Sequence, residues 1–385
     1  MDSGNKLFLL DAYALIYRAY YAFIKNPRIN SKGVNTSAIL GFVNTLEEVL
    51  KKENPSHIGV AFDPSGPTFR HEAFEQYKAQ REETPEAIRL SVPIIKDIIH
   101  AYRIPILEVA GYEADDVIGT LATEAGRQGI TTYMMTPDKD YGQLVTDNVF
   151  MYRPKHTGGF EVMGIEEVKA KFDIQSPTQV IDMLGLMGDA SDNIPGCPGV
   201  GEKTAQKLIA EFGSIENLLE HTDQLKGALK TKVETNKELI TFSKFLATIK
   251  IDVPIQLEMD KLVREQADED SLRQIFEELE FRTLIDRVLK KENSAGGVTM
   301  TTGSKTATAK SAPSPLPLFP EEGGAIQGDL FANFTGNEAG EAKKSNLETL
   351  ETLNCDYQLI DTEKKRAEII QKLLTSKILS LDTET

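Results

Sequence analysis

Cysteine is nearly absent: 385 residues contain two, Cys197 and Cys355. This excludes a disulfide framework and leaves no thiolate set at metal-ligand spacing, so a reducing cytoplasm is the expected setting. Long apolar runs are lacking too. Leu7-Phe8-Leu9-Leu10 is interrupted at once by Asp11, too short for a signal peptide or a membrane span, and no later segment is long enough. Positive charge is the third shortage, with 43 Lys and Arg against 59 Asp and Glu and a formal net charge of −16. A basic footprint is the usual mark of a nucleic-acid partner, so its absence argues at first against one. Clustered carboxylates that hold divalent cations also make a chain acidic, and a bound cation inverts the local charge logic. Composition therefore leaves the partner open. The remainder is ordinary for globular protein, 40% hydrophobic and 26% charged, with length enough for two or three domains.

Residues 6–152 alternate short apolar runs with longer helical patterns. Strands are expected at 6–10, 58–62, 104–109, 131–135 and 149–152, and helices at 36–52, 84–102 and 113–127. That alternation predicts an α/β fold over 1–160, a mainly parallel central sheet with flanking helices. Over 161–292 the patterns turn helical (165–172, 176–186, 202–211, 214–220 and a long stretch through 287), predicting a helical half packed on the α/β half. Residues 293–345, rich in Gly, Ser, Thr, Ala and Pro and without periodicity, read as a flexible linker. A strand–helix–strand pattern follows within 346–385.

Acids stand where strands end. Asp11 closes LFLLD, Asp63 closes IGVAFD, TYMMTPDKD runs into Asp138 and Asp140, and LEVAGYEADD delivers Glu113, Asp115 and Asp116 at a helix start. An aspartate after a strand is often a turn former or an N-cap, and acids in a first helical turn suit the helix dipole. The conjunction is harder to dismiss. Ligands of open α/β sheets bind beyond the carboxyl ends of the strands, so seven carboxylates would share one crevice. Crowded there they would raise one another's pKa values unless something positive neutralised them. No matching set of Lys or Arg lies in these motifs, and oxygen-only ligands indicate Mg²⁺ or Mn²⁺ rather than zinc. Glu113 and Asp116, three apart, share a helix face, and Asp115 points elsewhere.

The stretch GDASDNIPGCPGVGEKTA adds Asp189 and Asp192, then a hairpin of Gly196, Gly199, Val200 and Gly201 that opens a helix carrying Lys203, Thr204 and Lys207. A Gly-rich turn alone is weak evidence. With a helix N-terminus and lysines it reads as a helix–hairpin–helix that holds duplex backbone without reading sequence. In TFRHEAFEQYKAQR, Arg70, Lys78 and Arg81 lie among Phe69, Phe74 and Tyr77, the mixture that binds single strands by stacking and charge. The interspersed glutamates equally allow a solvated amphipathic helix.

Together, LFLLDAYALIYRAYYAF, VAFDPSGPTFRHEAFEQYKAQR, GYEADD, TPDKDYGQL and GDASDNIPGCPGVGEKTA resemble the 5′-nuclease domain of bacterial family A DNA polymerases, within the flap endonuclease superfamily, over residues 6–290. The resemblance implies a PIN-like, flap endonuclease fold and a structure-specific, two-metal 5′ nuclease acting on flapped, nicked or gapped DNA, RNA–DNA primers included. It implies metal ligation by Asp11, Asp63, Glu113, Asp115, Asp116, Asp138, Asp140, Asp189 and Asp192. It makes residues 64–90 an arch that passes the 5′ strand, with Lys78 and Arg81 near the scissile phosphate and Arg18 beside it. Arg70 and Tyr77 join the DNA contacts, and the hairpin could carry a potassium ion. Ala12 stands where many relatives have glycine, with Asp11 retained. The D-x-E of Asp382 and Glu384 resembles the first motif of a 3′–5′ exonuclease, an incomplete second site, so the chain is expected to be a fragment and a monomer with no membrane partner. A single-strand ribonuclease of PIN-like fold and a non-catalytic duplex-binding protein are the rival readings.

Overall fold

The computed structural model describes residues 5–155 and 159–289. The expected linker, residues 346–385, and with them Asp382 and Glu384, lie outside the described residues. Among the described residues one sheet runs in the order β3-β2-β1-β4-β5-β6. Its strands are β1 (Lys6–Asp11), β2 (His57–Ala61), β3 (Ile106–Leu107), β4 (Thr131–Met135), β5 (Val149–Pro154) and β6 (Phe160–Met163). The pairings among β1 to β5 are parallel, and β6 lies antiparallel to β5 at the edge.

Leu7 and Leu9 of β1 enter the core on one face of the sheet and Phe8 and Leu10 the core on the other. This is why β1 reads as an unbroken apolar run: a central parallel strand is buried on both sides. The chain proceeds from β1 outward to β2 and β3, then resumes on the other flank of β1 with β4. The order therefore reverses between β1 and β4, which opens a crevice beyond their carboxyl ends.

The helices are α1 (Ala12–Ala22), α2 (Ser37–Lys52), α3 (Phe69–Ala73), α4 (Glu86–Ala101) and α5 (Ala114–Arg127). Beyond the sheet come α6 (Ile165–Phe172), α7 (Gln179–Met187), α8 (Glu202–Phe212), α9 (Ile215–Glu220), α10 (Gly227–Thr235) and α11 (Lys237–Ala247). The chain continues through α12 (Met259–Leu262) and α13 (Glu269–Glu278). Residues of α1, α2, α4 and α13 cover the Phe8 face, and α5 covers the Leu7 face. The core on the α5 face continues without a break into Val180, Met183 and Leu184 of α7 and Leu208 and Ile209 of α8. The helical half is thereby fixed to the sheet by shared apolar burial. No described helix is long and apolar enough to cross a membrane.

Three segments differ from the sequence expectation. The strand expected over 104–109 pairs only at Ile106 and Leu107, with Val60 and Ala61, and β6 carries no recognisable alternation. The expected long helix through 287 is interrupted after α11 by an irregular segment, 248–258. That segment finds its hydrogen bonds elsewhere: Ile249 N donates to Gln143 Oε1 (2.9 Å), Lys250 N to Asp116 Oδ1 (2.8 Å) and Val253 N to Thr120 Oγ1 (3.1 Å). Side chains distant in sequence satisfy its backbone, so local propensity does not decide its shape.

Candidate active site

The crevice beyond β1 and β4 gathers the acids. Asp11, the last residue of β1, caps α1 by accepting from Ala14 N at 3.1 Å. Its other oxygen accepts from the Thr136 and Tyr141 hydroxyls at 3.2 and 3.1 Å. Burial, then the nearby Asp63 charge, pushes the Asp11 carboxyl up to about 7. Asp63, just past β2, accepts from Ala114 N at 2.7 Å at the start of α5, and burial raises it as well. Asp138 caps the turn after β4 by accepting from Asp140 N at 2.9 Å. Ligand oxygens of Glu113, Asp115 and Asp116 lie within 4.8 Å of one another.

Asp189 and Asp192 arrive from the loop after α7. Asp189 pairs with Ile194 in an isolated bridge, accepts from Ser191 N at 2.7 Å and meets Lys139 Nζ at 3.0 Å. Asp192 accepts from Arg81 Nη2 at 2.5 Å and from the Tyr77 hydroxyl at 3.1 Å. All nine acids are thus brought to the crevice and its rim, but their environments differ.

Glu113 and Asp192 already have cations. Lys78 Nζ stands 2.6 Å from Glu113 Oε1 and 3.7 Å from Asp192 Oδ2. Burial pushes both carboxyls up, yet Lys78 with Arg70 at Glu113, and Lys78 with Arg81 at Asp192, outweigh it and hold both below the ordinary range. Asp115 and Asp140 are opposite cases: burial, with the Asp116 charge at one and the Asp138 charge at the other, drives them well above it. Asp115 Oδ1 and Asp140 Oδ1 are buried and accept no hydrogen bond. A buried acceptor without a donor is costly, and oxygen atoms left open among like charges fit a hard divalent cation.

Two residues of the expected arch depart from expectation. Arg70 on α3 was expected to touch DNA, but it is 1% exposed. Its guanidinium is spent inside the protein, on Glu113, Asp116 and the carbonyls of Leu246 and Thr248. Tyr77, expected to stack on bases, is 3% exposed and donates its hydroxyl to Glu113 Oε2 and Asp192 Oδ2. Lys78 adopts a left-handed backbone, φ 57°, with its N–H on the Asp192 carbonyl at 3.0 Å. Arg18 on α1 donates to the Lys155 carbonyl at 3.0 Å.

At the hairpin, Gly199, Gly201, Lys203 and Lys207 are exposed and Thr204 is half-buried. Gly196 and Val200 are not contact groups. The Gly196 N–H donates to Ser243 Oγ (2.9 Å), and the Val200 N–H to the Cys197 carbonyl (2.9 Å). Gly196 is glycine because a Cβ would lie 2.3 Å from Gly188 N, at φ 62°. Sequence reasoning missed Thr136, Tyr141 and Lys139, which position Asp11 and Asp189. The available signal was a cluster of polar residues, TPDKDY, directly after a buried strand.

A divalent-cation crevice at the carboxyl ends of a mainly parallel sheet, beside a helix–hairpin–helix, defines a metal-dependent nuclease. Residues 6–173 match the 5′-3′ exonuclease N-terminal resolvase-like domain, and residues 175–270 the 5′-3′ exonuclease C-terminal SAM fold. The chain belongs to the 5′-3′ exonuclease family. DNA polymerase I of Bacillus subtilis is 43% identical over 291 residues, covering 75% of this chain and 33% of that protein. DNA polymerase I of Bacillus caldotenax is 40% identical over 287 residues, covering 74% and 32%. The chain spans about a third of the length of these curated relatives. The fold is also that of the zinc-bound T5 5′-exonuclease, with TM-score 0.53, 22% identity and coverage of 72% of this chain and 99% of that one. The catalytic core of Rad2 with DNA substrate gives TM-score 0.51, 18% identity and coverage of 75% and 93%.

Proposed function

We propose that the chain is the 5′-nuclease portion of a DNA polymerase I, cutting DNA phosphodiesters at 5′ flaps and in nicked or gapped duplex, RNA–DNA primers included, as a cytoplasmic monomer. The observation that carries this reading is the sorting of the acids: Glu113, Asp116 and Asp192 are neutralised by Arg70, Lys78 and Arg81, Asp189 meets Lys139, and the others are crowded, with open oxygens at Asp115 and Asp140. Magnesium or manganese, two ions or more, fits that oxygen-only set, with Asp11, Asp63, Asp115, Asp138, Asp140 and Asp189 as its holders. When bound, such ions make water a nucleophile at neutral pH and stabilise the leaving oxygen.

The chain's own residues supply the rest. Lys78 and Arg81, held at the rim by Glu113 and Asp192, face an incoming phosphate and offset charge that develops on it. Gly199, Gly201, Lys203, Thr204 and Lys207 present backbone and charge to a duplex phosphate at the start of α8, and Arg18 adds charge on α1. A potassium ion at the hairpin carbonyls belongs to this reading; the Gly199 carbonyl accepts the exposed Lys232 ammonium at 3.2 Å and keeps a second lone pair. The test is cleavage of a labelled 5′-flap duplex with Mg²⁺ and with EDTA. Cleavage near the flap junction that EDTA abolishes supports the reading. Equal cutting of unstructured RNA would favour a ribonuclease, and binding without cutting a duplex-binding protein.

A further inference from the structure

We propose that Arg70 and Asp116 form a positioning pair, holding the metal crevice and the helical half in register, and that neither touches metal or DNA. The proposal rests on the nuclease reading above and changes the work of two of its residues.

All five N–H groups of the Arg70 side chain are engaged. Nε donates to the Leu246 carbonyl at 2.9 Å, Nη1 to Glu113 Oε2 at 3.0 Å and Asp116 Oδ2 at 2.8 Å, and Nη2 to Asp116 Oδ1 at 2.9 Å and the Thr248 carbonyl at 2.8 Å. Arg70 and Asp116 meet fork to fork, the strongest and most directional form of this contact. Asp116 is fully buried. Besides the two guanidinium bonds it accepts from Glu113 N at 3.1 Å and Lys250 N at 2.8 Å. A carboxylate has about four lone-pair sites, and here each oxygen already accepts twice. Ligation of an ion by Asp116 would require one of those bonds to break inside the core. Its neighbour Asp115 is the reverse, with a buried oxygen that accepts nothing.

The pair ties three parts of the chain. Arg70 belongs to α3 at the base of the arch, Asp116 to the first turn of α5 beside Glu113 and Asp115, and Leu246, Thr248 and Lys250 to the end of α11 and the irregular segment after it. Gln143, in the turn that follows Asp138 and Asp140, makes a parallel link, donating to the Ala247 carbonyl at 3.0 Å and accepting from Ile249 N at 2.9 Å. Both clamps grip the same short segment, so the acids of α5 and of the β4 turn are referenced to the helical half. The pair hydrogen-bonds no proposed holder directly and acts by fixing the first turn of α5 that carries Asp115; loss of such outer-shell support typically costs about 10–100-fold in metal affinity.

The test is made on the full chain with manganese as the probe. In a wild-type crystal soaked in Mn²⁺, anomalous scattering should place no ion within about 2.5 Å of Asp116, with Arg70 still on both its oxygens. In solution, Asp115→Asn should lower the number of Mn²⁺ ions bound. Asp116→Asn and Arg70→Gln should keep the number and weaken binding by about 10–100-fold. The double variant should be no worse than the poorer single one, the signature of residues acting as one unit. Arg70→Lys, which keeps the charge and loses the fork, should fail to restore affinity. Manganese ligated by Asp116, an ion lost in Asp116→Asn, or additive losses would overturn the proposal. If the substituted chains do not fold, the wild-type crystal still decides. A chain that binds manganese but cuts no flap would sink the nuclease reading and leave the ion positions to judge the pair.

Discussion

Removing the negative charge of Asp11 should stabilise the metal-free protein at alkaline pH while destroying its function. Asp11 is 9% exposed and its carboxyl is pushed from an ordinary 3.8 up to about 7, by burial first and then by Asp63. A group whose folded value lies above its unfolded one contributes stability in full below 3.8, and that contribution is lost as pH rises through about 7. At about 1.4 kcal/mol per pH unit, the difference is worth up to about 4 kcal/mol, of which about 2.5 kcal/mol disappears between roughly pH 5 and 8. Asparagine cannot ionise and so lacks this term. Its carbonyl still serves Ala14 N, and the Thr136 and Tyr141 hydroxyls can rotate to accept from its amide. Melting temperatures of wild type and Asp11→Asn, followed in EDTA across that range, isolate the group. The wild type should lose about 5–10 °C relative to the variant as pH rises, and excess Mg²⁺ at pH 8 should return more stability to the wild type. A melting difference that does not change with pH would refute the reasoning, because it would mean that Asp11 ionises without cost in the folded chain.

Three other outcomes follow from the same geometry. Lys78→Ala and Arg81→Ala should each slow single-turnover flap cleavage by about 10²–10³-fold with little change in flap affinity, and an unaltered rate in both would remove them from the phosphate. Gly196→Ala should lower the melting temperature sharply, since its Cβ would stand 2.6 Å from the Met187 carbonyl carbon, whereas Gly201→Ala meets nothing within 4 Å and should melt like wild type. Indistinguishable melts would show that the turn is not packed as described. Lys203→Ala and Lys207→Ala should each reduce the slope of log K against log salt for duplex binding by about 1, measured by fluorescence anisotropy, and an unchanged slope would exclude them as phosphate contacts.

Much of the site was legible in the sequence because its signals are local. An apolar run that ends in an acid, as LFLLD does, announces a strand and what stands at its carboxyl end. A 3.6-residue pattern places Val117 and Leu121 inward on α5, and glycines before a lysine-bearing helix announce a turn. The hidden features are those set by partners far along the chain. Arg70 read as a DNA contact because its immediate neighbours are aromatic and basic, yet its guanidinium reaches a carbonyl 176 residues away. Tyr77 reads as a stacking ring until Glu113 and Asp192 are seen to take its hydroxyl. Segment 248–258 looked helical, and side chains of α5 and the β4 turn draw it out.

The sequence by itself determined the element types, the parallel α/β layout, the nine acids and the hairpin, since each depends on residue type and short-range spacing. Only the tertiary structure decided how those acids divide: which are neutralised by Lys78 and Arg81, which is saturated by the buried Arg70, and which keep an oxygen open. That division depends on burial and on the distance between charges, and both exist only once residues remote in sequence are packed around the same crevice.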